Sequence, residues 1–264
     1  MKTLFSVSAD KKIIVGVIHL KALPGAPGFG GSFQKILDHA AEEARIYSEC
    51  GIHGIIIENY HDIPFFPDTV QPITVACMAA IAAEIKKQNQ GIPIGLNVLR
   101  NDAAAAIAVA VASNAQFIRV NVHSGAMLTD QGIVQGKAHE TLRLRESLIP
   151  HLKIFADVLV KHAAPLVDRG IENEVSDLAE RGMADVIIVS GSGTGMASDP
   201  KRVSKVKAST RLPVFIGSGI TAENVDMYTN DVDGFIVGSY FKKAGRVNNE
   251  LDRERIMKFM DEIR

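Results

Sequence analysis

Short runs of apolar, β-branched residues alternate along the whole chain with segments in which apolar residues recur every three or four positions. The first pattern is typical of buried β-strands, and the second of helices with one apolar face. Helical spacing is clearest at Phe33, Ile36, Leu37, Ala40, Ala44 and Tyr47, and again at Ile256, Phe259, Met260 and Ile263. The eight predicted strands are Ile13–Leu20, Gly54–Glu58, Pro93–Leu99, Phe117–Val122, Ile154–Lys161, Val186–Ser190, Val214–Gly217 and Phe235–Gly238.

Eight strands separated by helices predict parallel pairing through right-handed crossovers. Eight such units in 264 residues match the (β/α)8 fold, or TIM barrel, which takes about 250 residues. The alternative is a doubly wound open sheet, which usually has a short glycine-rich turn after its first strand. The corresponding segment here, Lys21–Gly31, is long and contains two prolines. We therefore predict one α/β barrel domain over residues 1–264.

Local signals predict several helix boundaries. Asp199-Pro200 and Thr221–Asn224 are expected to start helices, because a short polar side chain caps free N–H groups and proline suits the first turn. The longest apolar stretch, Ala103–Ala112, is shorter than the ~18 residues of a membrane span and is predicted to be a buried helix. Cys50 and Cys77 form no motif, so we expect two buried thiols in a reducing cytosol.

Alternation within the strands also predicts which side chains point into the barrel, since successive residues face opposite sides. The helices outside need apolar partners, so the polar set should face inward. Ile118, Val120 and Val122 are expected to face the helices, while Phe117, Phe155 and Leu159 are expected to face inward. The predicted inward polar residues are His19, Glu58, Asn97, Arg119, Asn121, His123, Asp157 and Lys161.

Most of these polar residues lie where strands end, and barrel active sites are built at that face. Glu58, His123, Lys161 and Asp157 are the catalytic candidates: a Glu–His pair moves protons, and a lysine between apolar walls acts as a base or forms an imine. His19, Asn97, Arg119 and Asn121 are the candidates for substrate binding. An alternative for Arg119 and Asp157 is an internal ion pair that only fills the barrel.

Two neighbouring groups receive other predictions. His162 follows Lys161 and is expected to point away from the interior. Strand-end histidines and carboxylates also supply ligand types for a divalent metal, but they are scattered over four strands without close histidine spacing. No cofactor and no metal site is therefore predicted.

Glycine and serine follow the last three predicted strands. Glycine lets backbone N–H groups approach an anion, and barrels often bind phosphate with the loops after strands seven and eight. The phosphate-binding candidates are Ser190, Gly191, Gly217, Ser218, Gly219, Gly238 and Ser239. The alternative is that these glycines only permit tight turns. The Ser190–Gly195 loop is expected to close over a substrate.

Two predicted loops are longer than turns require. His61–Asp68 and Ser124–Arg143 both follow strands at the predicted mouth, and both are candidate lids. The Phe65-Phe66 pair fits either a lid or an oligomer contact.

Charge narrows the class of partner. The chain has 29 Lys and Arg against 30 Asp and Glu, a net charge of −1, so neither nucleic acid nor an anionic membrane surface is expected to bind. The N-terminus lacks the apolar core and cleavage site of a signal peptide. We expect a cytoplasmic protein without an integral membrane segment, which reaches a membrane only through a partner. A homo-oligomer remains open.

Several segments resemble the BtpA family. They cover nearly the whole chain, and the most specific are the His-Leu-Lys-Ala-Leu-Pro-Gly and Asp-Val-Leu-Val-Lys-His motifs. The similar segments are Val17–Gly25, Gly51–Asn59, Gly95–Leu99, Asn101-Asp102, Ala115–Asn121, Ala156–Ala163 and Val189–Gly191. The resemblance implies a barrel akin to ribulose-phosphate-binding barrels. It transfers no established catalytic residues.

Three functions follow as hypotheses. The first is an isomerase, epimerase or aldolase-type lyase acting on a small phosphorylated sugar or related metabolite. The second is an assembly or stability factor for a membrane complex, because the family name refers in cyanobacteria to photosystem I accumulation. The third is a regulator that binds a metabolite without turnover.

Overall fold

The computed structural model describes residues 1–8, 10–191 and 196–263, and its centre is a closed barrel of eight parallel strands. The barrel strands are β1 (Ile13–His19), β2 (Gly54–Glu58), β3 (Ile94–Asn97), β4 (Phe117–Val120), β7 (Lys153–Val158), β9 (Val186–Val189), β10 (Val214–Ile216) and β11 (Gly234–Val237). Their order around the barrel is β1-β11-β10-β9-β7-β4-β3-β2. All eight predicted strands are confirmed, and the TIM barrel with them.

Helices connect most of the barrel strands. They are α1 (Phe33–Glu49), α2 (Pro72–Gln88), α3 (Ala103–Ser113), α4 (Ala138–Leu148), α5 (Ile171–Ser176), α6 (Pro200–Ala208) and α7 (Arg253–Glu262). Asp199 caps α6 as predicted, because its side chain accepts a hydrogen bond from the Lys201 N–H. The helix predicted to start at Thr221 is replaced by a single 3-10 turn, Val225–Met227. Its Asn224 side chain instead bonds the backbone of Thr221 and Gly219, which closes a local turn.

Strand alternation divides the apolar residues into two layers. Ile118 and Val120 belong to the outer layer, which packs against the helices. Phe117 and Phe155 belong to the inner layer and stack with ring centroids 4.6 Å apart. The predicted facing of these four residues is therefore confirmed.

The amino-terminal segment closes the far end of the barrel. Phe5 is buried in the inner layer, and its ring meets those of Phe117 and Phe155 at 5.6 and 6.4 Å. The periodicity of the chain gave no sign of this contact, since Phe5 precedes the first strand. Phe5 therefore plugs the amino end of the barrel interior.

A second, small sheet stands where a loop was predicted. It comprises β5 (Ala126–Thr129), β6 (Gly132–Gln135) and β8 (Ala163–Pro165), in the antiparallel order β6-β5-β8. The predicted loop Ser124–Arg143 is thus a hairpin followed by the first turns of α4. Its side chains join Val122 and Val160 in an apolar cluster of their own.

The described part of the chain contains no helix that is both long and apolar enough to cross a membrane. Cys50 and Cys77 are free and buried, as predicted.

Candidate functional site at the carboxyl end of the barrel

Two cavities lie side by side where the barrel strands end. The larger cavity has a volume of about 320 Å³ and the smaller cavity about 30 Å³. The larger cavity is lined by Glu58, Tyr60, Ile63, Phe65, Leu99, Arg100, Asn121, Asp130, Lys161 and His162. The smaller cavity includes His19, Glu58, Arg119, Lys161, Gly217, Ser218, Gly219, Gly238, Ser239 and Tyr240. Glu58 and Lys161 line both, so they form the wall between them.

Glu58 is the last residue of β2 and is 5% exposed. Its carboxylate lies 3.7 Å from the Arg119 guanidinium and 3.9 Å from the His19 ring nitrogen Nε2. Both distances exceed a hydrogen bond, and no hydrogen bond to the Glu58 carboxylate is found among the residues that the structure describes. The carboxylate therefore has acceptor positions left for a ligand.

The histidine beside Glu58 is His19, and the predicted Glu58–His123 pair is wrong. His123 is fully buried and its Nε2 donates to the Gly182 carbonyl at 2.8 Å, away from both cavities. The reason is that β4 ends at Val120 and the chain then bends, so alternation no longer applies at residue 123. Burial lowers the pKa of His123.

His19 is held neutral. Burial, followed by the positive charges of Lys242 and Lys161, lowers the pKa of His19 well below its ordinary value. Its Nδ1 is buried and has no hydrogen-bond partner within the described ranges. The ring also meets Tyr60 edge-on at 4.7 Å.

Arg119 and Asp157 form the internal ion pair that the sequence left as the alternative to their roles in binding and catalysis. Arg119 Nε and Nη2 donate to the two Asp157 oxygens at 2.8 and 2.9 Å, and the Ser190 hydroxyl donates to Asp157 at 2.8 Å. Burial alone would lower the pKa of Arg119, but Asp157 and Glu58 raise it above its ordinary value. Asp157 is fully engaged, so its place is to orient Arg119 rather than to touch a ligand.

Lys161 reaches the cavities from a loop. The strand predicted to extend to Lys161 ends at Val158, and Leu159 and His162 have positive φ angles of 52° and 56°. This bent backbone turns Leu159 outward, where it packs on the outer layer, and turns His162 toward the larger cavity. The inward prediction for Leu159 and the outward prediction for His162 are both wrong. Lys161 itself is placed as predicted.

The Lys161 amine has no carboxylate within 4.0 Å and makes no hydrogen bond within the described part of the chain. Burial and the neighbouring Arg119 lower the pKa of Lys161, against the carboxylates of Glu58 and Asp157, which raise it. A lowered pKa increases the fraction of free amine at neutral pH, which is the nucleophilic form.

Two buried asparagines are hydrogen-bonded to each other next to the larger cavity. Asn97 Nδ2 donates to the Asn121 side-chain oxygen at 2.9 Å and to the Arg119 carbonyl at 3.1 Å. Only Asn121 lines the cavity. Asn97 therefore orients Asn121, whose amide nitrogen is left for a ligand.

The predicted phosphate residues divide into two groups. Ser190 donates to Asp157 and Gly191 donates its N–H to the Ser218 hydroxyl, and neither lines the smaller cavity. Gly217, Ser218, Gly219, Gly238 and Ser239 do line it. The remainder of the predicted covering loop, Ser192–Gly195, lies outside the described residues.

Within the second group, Gly217 and Gly219 have different reasons to be glycine. The Gly217 N–H donates to the Val189 carbonyl, and a Cβ there would lie 3.0 Å from the Ser190 hydroxyl and 3.3 Å from Arg119. Gly219 has φ +72° and its backbone packs against Met196. Close packing is therefore enough to explain a glycine at Gly217, without a role in phosphate binding. The backbone N–H groups of Ser218, Gly219 and Ser239 donate no hydrogen bond to any described residue.

The predicted lids border the larger cavity. Phe65 lines it, whereas Phe66 is 45% exposed. The Asn59 side chain accepts from the Leu99 N–H at 2.7 Å and donates to Asp62 at 3.1 Å, which fixes the start of the His61–Asp68 segment. Asp130, in the turn of the β5–β6 hairpin, reaches the same cavity from the other side.

The larger cavity is also lined by polar residues that were not among the predicted site residues: Tyr60, Arg100 and Asp130. Each follows the end of a strand or lies in the hairpin turn, where side-chain periodicity carries no information. Their polar side chains beside a strand end were the only available signal. No three His, Cys, Asp or Glu side chains of the described residues lie close enough together to hold a metal ion.

Comparison with solved structures agrees with the fold. The chain is similar to thiamine phosphate pyrophosphorylase from Pyrococcus furiosus, with a TM-score of 0.61 and 15% identity over 96% of each chain. It is also similar to N-(5'-phosphoribosyl)anthranilate isomerase from Pyrococcus furiosus, with a TM-score of 0.53 and 15% identity over 95% of this chain and 98% of that one. At this level of identity the similarity concerns the fold alone.

Comparison by sequence is more specific. An uncharacterized protein of Methanocaldococcus jannaschii is 42% identical over 95% of each chain. The photosystem I biogenesis protein BtpA of Synechocystis is 40% identical over 98% of this chain and 90% of that one. The model of the BtpA family matches residues 10–264. By both measures the chain belongs to the BtpA family.

Proposed function

We propose that this protein is an enzyme of the isomerase, epimerase or aldolase-type lyase class that acts on a small phosphorylated sugar or related metabolite. One observation carries the proposal: Glu58 and Lys161 form the wall between the smaller cavity, with its glycine–serine turns, and the larger polar cavity. A ligand with its phosphoryl group at the turns thus brings its next carbons against a carboxylate and an amine.

The side chains have complementary roles in such chemistry. Glu58 removes a proton from the carbon beside a carbonyl and returns it elsewhere. Lys161 stabilises the resulting enolate oxygen as an ammonium, or forms an imine with the carbonyl as a free amine, with loss of water. Asn121 orients a hydroxyl group. Because His19 is neutral, it does not add a second cation beside Glu58.

The phosphoryl group is assigned to the backbone N–H groups of Ser218, Gly219 and Ser239, because amides without an internal acceptor bind anions. The smaller cavity, at about 30 Å³, has room for only a few water-sized groups. Binding should therefore widen it, with a shift of the turn that contains Ser218 and Gly219.

Calorimetric titration with inorganic phosphate and with ribose 5-phosphate tests the assignment. Ser239→Asp places a carboxylate at the smaller cavity and should weaken both affinities at least about tenfold, because like charges repel at short range. Ser48→Asp makes the same change on the exposed face of α1 and should have no effect. Equal binding by both variants, or a bound anion elsewhere in a soaked crystal, would contradict the phosphate site.

A second candidate is a non-catalytic assembly factor for a membrane complex such as photosystem I. It is favoured by the 40% identity to the Synechocystis protein of that name. The double variant Glu58→Gln, Lys161→Met separates the two candidates, as it removes the proposed chemistry while keeping the fold. In Synechocystis cells that lack their own relative, rescue of photosystem I by the double variant would favour the assembly role, and its failure with folded protein present would favour catalysis.

A further inference from the structure

Arg100 is a buried cation that has no carboxylate within 4.0 Å among the described residues. It follows β3, is 5% exposed and lines the larger cavity. Its backbone N–H donates to the Phe66 carbonyl at 3.1 Å, and its Nη2 donates to the Lys161 carbonyl at 2.8 Å. Its Nε makes no hydrogen bond to a described residue. The side chain is thus held in place by one neutral acceptor.

The nearby carboxylates are already used or too far away. Asp157 accepts three hydrogen bonds from Arg119 and Ser190, and Glu58 lies beside Arg119 and His19. Asp130 also lines the cavity, but it lies in the exposed hairpin turn and forms no ion pair with Arg100 within 4.0 Å. None of the ion pairs within 4.0 Å among the described residues includes Arg100. Leaving a guanidinium buried without an anion is costly, and an anionic ligand bound beside it would reduce that cost.

The rest of the cavity indicates what kind of anion fits. Tyr60, Ile63, Phe65 and Leu99 form an apolar and aromatic wall, while Asn121 and Lys161 supply the polar side. Arg100 is the arginine of this cavity, and its Nε has no hydrogen-bond partner among the described residues. A planar guanidinium matches the two oxygens of a carboxylate, and the carboxylates of Glu58 and Asp130 on the same cavity disfavour the larger charge of a second phosphate dianion.

We propose that Arg100 binds a carboxylate of the ligand, so that the substrate is a phosphorylated carboxylic acid lying across both cavities. The proposal rests on the proposed function for the position of the phosphoryl group. The carboxylate then marks the far end of the ligand in the larger cavity, and the reacting carbons lie between, beside Glu58 and Lys161.

The test compares ω-phosphonocarboxylates of increasing chain length with alkylphosphonates of the same length, by calorimetry. In the unchanged protein, the best carboxylate is expected to bind at least about tenfold more tightly than its alkyl counterpart, as a charge-assisted hydrogen bond to arginine requires. Arg100→Gln should abolish that difference and leave alkylphosphonate affinity within about twofold of the original value. Arg211→Gln, at an exposed arginine outside both cavities, is the matched control.

A further variant and a further probe distinguish an error in the phosphate site from an error in the carboxylate site. Arg100→Lys keeps the charge, so it should retain part of the difference in affinity between the carboxylate and alkyl probes. This variant provides the test if Arg100→Gln does not fold. Benzoate has no phosphoryl group and should bind the unchanged protein more tightly than Arg100→Gln. If no phosphonate binds but benzoate behaves so, the phosphate site is wrong and the carboxylate site stands. If the carboxylate adds no affinity, or Arg100→Gln weakens both probes alike, the proposal for Arg100 is overturned.

Discussion

Arg119 and Asp157 show how a single pair of residues fixes the floor of the site. The carboxylate receives three hydrogen bonds, and the guanidinium lies between Asp157 and Glu58. Both side chains are less than 5% exposed. Since neither charge is hydrated, each depends on the other to remain in the interior.

Arg119→Met should lower the free energy of unfolding by about 3–5 kcal/mol, because it leaves Asp157 and Glu58 buried without their cation. The double variant Arg119→Met, Asp157→Leu should recover part of that loss. Urea unfolding provides the measurement, with Lys258→Met, which breaks an exposed ion pair with Glu223, as a control expected to change little. Equal losses for the single and the double variant would argue against a coupled pair.

Lys161→Met is expected to stabilise the protein near neutral pH by about 0.5–2 kcal/mol, as is common when a functional polar group is replaced by an apolar one. The pKa of Lys161 is lower in the folded protein, so folding disfavours the charged amine and the unchanged protein is destabilised. This penalty has its full value at pH values below the pKa of Lys161 in the folded protein. The penalty shrinks as the pH rises toward 10.5, the ordinary lysine value. Urea unfolding at neutral and alkaline pH measures both trends, and a less stable variant at neutral pH would refute this account.

At the scale of elements, a buried ion pair joins α1 to the turn after β11. Lys242 and Glu43 are both 2% exposed, and the Lys242 amine donates to the Glu43 carboxylate. The pair lies directly beyond the 3-10 turn Ser239–Phe241, which borders the smaller cavity. It therefore couples the position of a helix to the shape of the candidate phosphate site.

Lys242→Met should destabilise the protein by about 3–5 kcal/mol, since Glu43 would stay buried without its cation. Hydrogen exchange at the amides of Phe241 and Lys242, which close the turn, should accelerate more than exchange in the barrel strands. Glu42→Gln removes a carboxylate from the exposed face of the same helix and serves as the control. Uniform acceleration over the whole chain would indicate global rather than local loosening.

At the scale of the whole molecule, the buried His19 and His123 and the partly buried His53 set the response to acid. Burial lowers the pKa of His19, His53 and His123. His53 also accepts the Ile14 N–H at its Nδ1, which a protonated ring cannot do. All three are therefore neutral in the folded protein and take up protons when it unfolds.

The free energy of unfolding should accordingly fall as the pH drops below 6.5, the ordinary histidine value. The slope is at most about 1.4 kcal/mol per pH unit for each histidine, because the unfolded state binds the extra proton. His53→Gln should reduce that slope, whereas His151→Gln, at an exposed position, should leave it unchanged. Urea unfolding from neutral pH to pH 5 measures the slope. A slope unaffected by His53→Gln would show that His53 does not contribute to the pH dependence.

The barrel could be predicted from the sequence because the alternation of side chains that marks each strand lies within that strand. Each strand shows its two faces in its own residues, so Phe117 and Ile118 could be assigned to opposite layers without knowledge of their partners. Glu58, Asn121 and Lys161 were found in the same way, as polar residues at strand ends, and the pairing of Arg119 with Asp157 followed from neighbouring strands. The prediction fails where the strand stops, as at His123, Leu159 and His162.

The sequence alone determined the eight strands, the family and the end of the barrel that carries polar side chains, because periodicity and motifs are properties of adjacent residues. Only the tertiary structure decided that His19 rather than His123 stands beside Glu58, and that Arg100 lies in the larger cavity without an ion-pair partner among the described residues. It also placed Phe5 as a plug and turned a predicted loop into a hairpin bordering the site. The physical reason is that irregular backbone after a strand has no period, so the direction of its side chains is set by distant packing and hydrogen bonds.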